Sequence, residues 1–320
     1  MIDLVYLWCD DADVRWRAKR DAVARAFGPG CPSEACAPCR YRGRDMLRYS
    51  LRSANRFLPW IGKVFIVIDD DQTPPDCLRE SPAEVRLVRH SELLPRELLP
   101  TFNSVTIEHF LHRIPDLADR FLYANDDTLF MRRLSPSFFF AEDGFPLFRF
   151  GAIRSRVADP RYHEHYVTLE NAERLVRDAF GLKAGFRRAI GRLPHHNVDA
   201  YVKSDFRACH ERFADAIAAS VRGPFRTVDD VQRVLYADYA LAVGRGHFRR
   251  ATFNTNYRSA WWRWLMPAWA DSLQFVPGRW RQAPIDIARF KPGLVCFNDG
   301  PDTTEADYAW LQSLLEGLES

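Results

Sequence analysis

Residues 100–132 constrain the fold most tightly, because two elements of different periodicity meet there at a run of carboxylates. The first half carries a helix start. Asn103 or Ser104 supplies the cap, and Glu108 falls within the second turn. Ile107, Phe110, Leu111 and Ile114 recur at helical spacing and form the stripe expected to be buried. His109, His112 and Arg113 are then expected off that stripe or at its edge. Residues 120–124 are a short apolar run with aromatics, expected as a buried strand that ends at Asn125, Asp126 and Asp127. In open α/β sheets, ligands bind beyond the carboxyl ends of the strands. Adjacent carboxylates there are costly unless solvated or paired, and a divalent metal holding a diphosphate is a natural partner.

The same theme recurs along the chain. Residues 2–8 read as a strand that ends in Cys9-Asp10-Asp11-Ala12-Asp13, followed by a basic helix over residues 15–27. Capping of that helix and a role at the site are equally good readings of Asp13, whereas Asp10, directly after the strand, is assigned to the site. Residues 64–68 form the next strand and end in Asp69, Asp70 and Asp71; residues 85–89 form a short strand leading to His90. Residues 293–297 again end in a polar pair, Asn298 and Asp299. Strands alternating with helical stretches predict an α/β sheet with one functional edge. Arg40, Arg42 and Arg44 cluster before a helix at residues 46–57 and suit bidentate phosphate contacts or a solvated loop.

The second half is expected to be mainly helical, with one or two helices around Gly181 and Gly185 at residues 170–189 and helices at 204–221, 231–244 and 304–318. His195 and His196 lie in a loop. Trp261, Trp262, Trp264 and Trp269 are expected to pack in a core, the alternatives being a membrane surface or sugar stacking. The expected organisation is an α/β nucleotide-sugar and metal-binding core at 1–150, a helical acceptor lobe at 151–290, and a strand and helix returning to the core at 291–320.

Composition excludes more than it selects. With 47% hydrophobic and 27% charged residues, the 320-residue chain is an ordinary globular one. A net charge of +3 gives no argument for nucleic acid. No run of about 18 apolar residues is present, and the start lacks a basic region and cleavage site, so a cytoplasmic protein without need of disulfides is expected. Cys31, Cys36 and Cys39 lack the fourth ligand of a structural zinc site and are expected as loop thiols. No Walker loop or Gly-x-Gly-x-x-Gly turn favours a kinase or dinucleotide enzyme. Aspartates at strand ends, nearby arginines and helical histidines instead fit a nucleotide diphosphate held by metal and arginine, with a histidine taking a proton.

In order, the motifs resemble the Stealth family, hexose-1-phosphate transferases of capsule synthesis similar to the catalytic part of N-acetylglucosamine-1-phosphotransferase. Residues 2–16, 40–70, 101–130 and, more loosely, 194–244 match its blocks, and residues 296–299 resemble its Asn-Asp signature. Asp11, Gly43, Met46 and Val198 depart from the family pattern. The resemblance implies a Rossmann-like, GT-A-like nucleotide-sugar sheet flanked by helices. It implies transfer of a sugar-1-phosphate to a glycan hydroxyl, with UDP-GlcNAc as the expected donor and release of a nucleoside monophosphate. Asp126 and Asp127, with Asn125, are then expected to hold Mg2+ or Mn2+. Trp8, Asp10, Arg42, Arg48, Asn103 and Asp299 are expected at the nucleotide-sugar, and Arg226 at phosphate. His112 is the first candidate for general base, ahead of His109 and His196. The expected partners are donor and glycan acceptor, without nucleic acid. Peripheral attachment at the inner face of the plasma membrane and a homo-oligomer are compatible with the resemblance. The rival enzyme is a metal-dependent glycosyltransferase releasing a nucleoside diphosphate. A lectin-like or membrane-surface module built on residues 261–269 is the non-enzymatic alternative.

Overall fold

The computed structural model of the protein describes residues 1–28, 35–80, 84–151, 163–183, 193–194, 198–250, 270–276 and 278–319. Its centre is a five-stranded sheet formed by β1 (Ile2–Leu7), β2 (Ile61–Ile68), β3 (Val85–Arg89), β4 (Arg120–Asn125) and a later strand at Asp199–Val202. The order is β3-β2-β1-β4 and then Asp199–Val202; the first four run parallel, and the last is antiparallel to β4. The expected α/β class with helices flanking a sheet is the one observed.

Side chains of the central strands alternate between two buried faces, as strand geometry requires. Val5, Phe65, Val67, Phe121 and Tyr123 face a core shared with Phe110, Leu169, Phe206 and Tyr236. Leu4, Tyr6, Ile66, Ile68 and Leu122 face Leu47, Leu51 and Ala54 of the helix Met46–Phe57. Because both faces are covered, these strands read as continuous apolar runs. Asp3 is 1% exposed and clips the strands together, accepting from the backbone amides of Lys63 and Ala118 at 2.9 and 2.8 Å.

A second sheet stands beside the first. After β4 the chain turns through Asp126 and Asp127 into β5 (Thr128–Phe130), which pairs antiparallel with the strand Leu294–Phe297; Ser272–Phe275 completes that sheet. A third small sheet joins β6 (Leu147–Gly151) to Leu193–Pro194 and His247–Arg250. The expected boundary at residue 150 is therefore crossed by hydrogen bonds: Asp199–Val202, from within the 151–290 span, is an edge strand of the core sheet. The amphipathic stretch expected as one helix over 204–221 is two, Lys203–Arg212 and Ala214–Ser220. Cys36 is disulfide-bonded, contrary to the expectation of loop thiols, whereas Cys39 is free. Cys31, His195, His196 and the tryptophans of 261–269 lie outside the described residues. Among the described residues, no helix is long and apolar enough to cross a membrane.

Candidate functional site

The strand order fixes where a ligand goes. From β1 the chain moves outward through β2 and β3, then returns to place β4 on the other side of β1. That reversal is the topological switch point at which α/β sheets open a crevice. Leu7 and Asn125 are register partners, so Trp8 to Asp10 and Asp126 to Asp127 leave the sheet side by side. A cavity of about 2230 Å³ opens there, and all of these residues line it. It is wider than the roughly 300–1,000 Å³ of a typical small-molecule site, leaving room for more than one ligand.

Carboxylates form the floor. Burial, then the charge of Asp127, raises Asp126 well above the usual carboxylate range, and burial pushes Asp127 up to about 6. Asn298 Nδ2 donates to Asp127 Oδ2 at 3.4 Å, because β5 and Leu294–Phe297 pair and bring residue 298 alongside. Asp10 Oδ1 accepts from the amides of Ala12 and Gly43 at 3.0 and 3.4 Å. A Cβ on Gly43 would sit 3.0 Å from Asp10 Cγ, so the acidic residue expected there from the family pattern would crowd Asp10. Asp13 is resolved as a cap: its Oδ1 accepts from the amides of Arg15 and Trp16 at 3.0 and 3.2 Å.

This donor set fits a hard divalent cation. Its atoms are carboxylate and amide oxygens, and the raised pKa values report buried negative charge in excess. Among the described residues no group of three or more His, Cys, Asp or Glu is assembled to hold a metal. Mg2+ typically takes one or two carboxylates and fills its remaining positions with substrate phosphates and water.

Charged residues from three further elements line the wall. Arg233 bonds Glu108 Oε1 at 3.0 Å and Asp199 Oδ2 at 2.9 Å, and Tyr123 donates to the same Glu108 oxygen at 2.9 Å. Glu108 is 3% exposed and lines the cavity, and its Oε2 has no hydrogen-bond partner. Arg226 lines the cavity and donates to Ser104 Oγ; Arg40 also lines it. His165 lies on the same wall. Its side chain is exposed, and the charges of Arg226, Arg233 and Arg40 lie near it. Glu108, Arg233 and His165 were not among the candidates read from the sequence. Glu108 carried a faint signal, a carboxylate beside an apolar helical stripe.

Several expected residues lie elsewhere. His112 is 4% exposed, does not line the cavity, and packs against Phe206 and His210 with ring centroids 5.3 and 4.8 Å away. Its burial, with His210, Arg113 and Arg207 nearby, pushes it down to about 3. His109 is 1% exposed and its Nε2 bonds the carbonyl of Val231 at 2.6 Å. The helix ends at His109 and a short turn follows, while Lys203–Arg212 and Leu235–Ala242 pack around it, so positions off the apolar stripe are buried as well. Asn103 is fully buried: its amide carbonyl caps the helix at Val105 N, 3.0 Å, and its Nδ2 donates to Asp230 at 2.8 Å. Arg48 is half-buried and does not line the cavity. Arg42 and Asp299 do line it.

Two outcomes follow for His112. His112→Gln is expected to keep turnover within about threefold of the parent, where loss of a general base costs about 10²–10⁴-fold. A drop of that larger size would return His112 to the mechanism. His112 and His210 have folded pKa values of about 3 and about 4, below the ordinary 6.5. Their neutral burial supports the fold above pH 6.5, and that support is lost as pH falls toward 4. Urea denaturation at pH 7 and pH 5 measures this directly, with a smaller decline expected in His112→Gln.

Residues 40–148 match the model of Stealth protein CR2, conserved region 2. The exopolysaccharide phosphotransferase CpsY of Mycobacterium tuberculosis is 36% identical over 249 residues, covering 76% of this chain and 45% of the relative. The exopolysaccharide phosphotransferase SCO6021 of Streptomyces coelicolor is 31% identical over 318 residues, covering 95% of this chain and 53% of the relative. The chain spans about half the length of these relatives. Among solved structures, the galactosyltransferase LgtC aligns over 99% of this chain and 95% of its own, at 11% identity and a TM-score of 0.43.

Proposed function

The chain belongs to the Stealth family, and from that premise we propose that it transfers a sugar-1-phosphate from a nucleotide-diphosphate sugar to a glycan hydroxyl. The observation that carries this is the emergence of Asp10 and of Asp126 and Asp127 side by side at the switch point, in a cavity also lined by arginines. In the reaction the acceptor oxygen attacks the sugar-bearing phosphorus and the bond from that phosphorus to the nucleoside monophosphate breaks. The hydroxyl proton leaves to a base, and a phosphodiester forms. Positioning and charge neutralisation supply most of the catalysis in such transfers.

The residues divide the work. Asp126 and Asp127, with Asn125, hold Mg2+ or Mn2+. When bound, the cation neutralises phosphate oxygens and the charge that builds on the leaving nucleotide. Trp8 and Asp10 contact the nucleotide, and Arg226, Arg40 and Arg42 contact phosphate. Glu108, fixed by Arg233 and Tyr123, supplies negative charge to the cavity wall. The proton goes to a histidine: His165 lines the cavity, and His196 is the candidate that the family motif supplies. UDP-GlcNAc is the proposed donor and a cell-surface or capsular glycan the acceptor. The proposed setting is the cytoplasmic face of the plasma membrane.

Product analysis with UDP-GlcNAc, Mg2+ and a panel of glycan acceptors tests the chemistry. UMP together with a phosphodiester-linked product is expected. Release of UDP would instead mean cleavage at the sugar carbon, ordinary glycosyl transfer, and would sink the proposal.

A further inference from the structure

A three-residue relay joins the last helix to the cavity wall. Arg42 Nη1 donates to the Tyr308 hydroxyl at 2.8 Å, and that hydroxyl donates to Asp299 Oδ2. The direction of both bonds is forced. A guanidinium only donates and an ionised carboxylate only accepts, so the single phenolic proton points at Asp299 and the oxygen lone pair receives Arg42. All three residues line the cavity. They come from the turn after Pro38–Tyr41, the end of Leu294–Phe297 and the first turn of Glu305–Glu319. Arg42 Nη1 and Asp299 Oδ2 are held 3.7 Å apart, beyond hydrogen-bond contact. Tyr308 is itself fixed: the Arg44 guanidinium lies 4.2 Å from its ring centroid, the Trp280 ring 5.8 Å away, and Arg44 in turn bonds Glu305 at 2.5 and 2.9 Å.

We infer that Tyr308 is a positioning residue, which keeps Arg42 from closing onto Asp299 and so holds its guanidinium for the donor's diphosphate. The role given to Arg42 rests on the sugar-1-phosphate reading above. A guanidinium paired directly and bidentately with a carboxylate has its best donors already committed. The phenol takes one N–H and leaves the planar fork open to an anion in the cavity. Its chemistry suits the task, because burial, with the Asp299 hydrogen bond, raises it further above an already basic value and the hydroxyl stays protonated.

The test is Tyr308→Phe, which removes the bridging oxygen and keeps the ring that Arg44 and Trp280 pack against. Titration with inorganic pyrophosphate in Mg2+ reads the diphosphate contact without depending on base or sugar. The dissociation constant is expected to rise about tenfold in the variant, the size of one lost charge-assisted hydrogen bond. In turnover assays, donor KM is expected to rise by a similar factor while kcat holds within about twofold. Equal pyrophosphate affinity in parent and variant, with UMP still released by the parent, would overturn the inference and leave the proposed reaction standing. A parent that binds no pyrophosphate and releases no nucleotide overturns both. A melting temperature lowered by more than about 4 °C, with KM and kcat lost together, would assign Tyr308 to the fold alone.

Discussion

Asp127→Asn is expected to remove nucleotide release almost entirely, by about 10³-fold or more, while the protein stays folded. The carboxylate faces the cavity beside Asp126, and its pKa of about 6 reflects burial. An acid whose folded pKa lies above its unfolded value destabilises the fold while ionised, and that cost disappears as pH falls through the folded value toward the unfolded one. Metal-free Asp127→Asn is therefore expected to melt at or above the parent temperature at pH 8 and to lose this advantage near pH 4. The same charge explains the second readout. Millimolar Mg2+ or Mn2+ should raise the melting temperature of the parent and do little for the variant. An active Asp127→Asn protein, or equal metal-dependent shifts in both, would remove Asp127 from the site.

The second large effect is on stability. Arg233 holds Glu108 and Asp199 together, with side chains that are 11%, 3% and 27% exposed. Replacing Arg233 by Ala leaves two carboxylates facing each other with no shared cation. Breaking a buried pair by removing one partner costs about 3–5 kcal/mol, most of it from the stranded charge. Arg233→Lys is expected to recover only part, because an ammonium cannot serve both carboxylates with the planar fork. Urea denaturation of the two variants measures this. Less than about 1 kcal/mol for Arg233→Ala would place the cluster with ordinary surface pairs. Arg233→Ala is also expected to lose turnover under conditions where it is folded, because Glu108 Oε1 then lacks one of the two donors that fix it.

What could be read early was local. The apolar runs at residues 2–8, 64–68, 85–89 and 120–124 became β1 to β4 within a few residues, because fully buried strands need uninterrupted apolar sequence. Asn103 was legible as a helix cap, and the carboxylates after the first, second and fourth strands as a shared edge. The family blocks added Arg226 and Asp299, both of which line the cavity. The failures are equally physical. His112 and His109 sit in a matching motif, but Phe206 and His210, far along the chain, cover His112. Asn103 could not be separated from a ligand contact until Asp230 appeared against its amide.

Sequence alone determined the four parallel strands of the central sheet and the aspartates at the ends of the first, second and fourth, since both follow from periodicity and residue chemistry over a few positions, whereas the edge strand Asp199–Val202 was not read from it. Which strand lies beside which was settled only in three dimensions. The pairing of β1 with β4 puts Asp10 next to Asp126, and the pairing of β4 with Asp199–Val202 puts Asp199 beside Tyr123. Glu108, Arg233, His165 and Tyr308 reach the cavity from elements distant in the chain. No local pattern marks such residues, because charge compensation and hydrogen-bond direction are properties of neighbours in space.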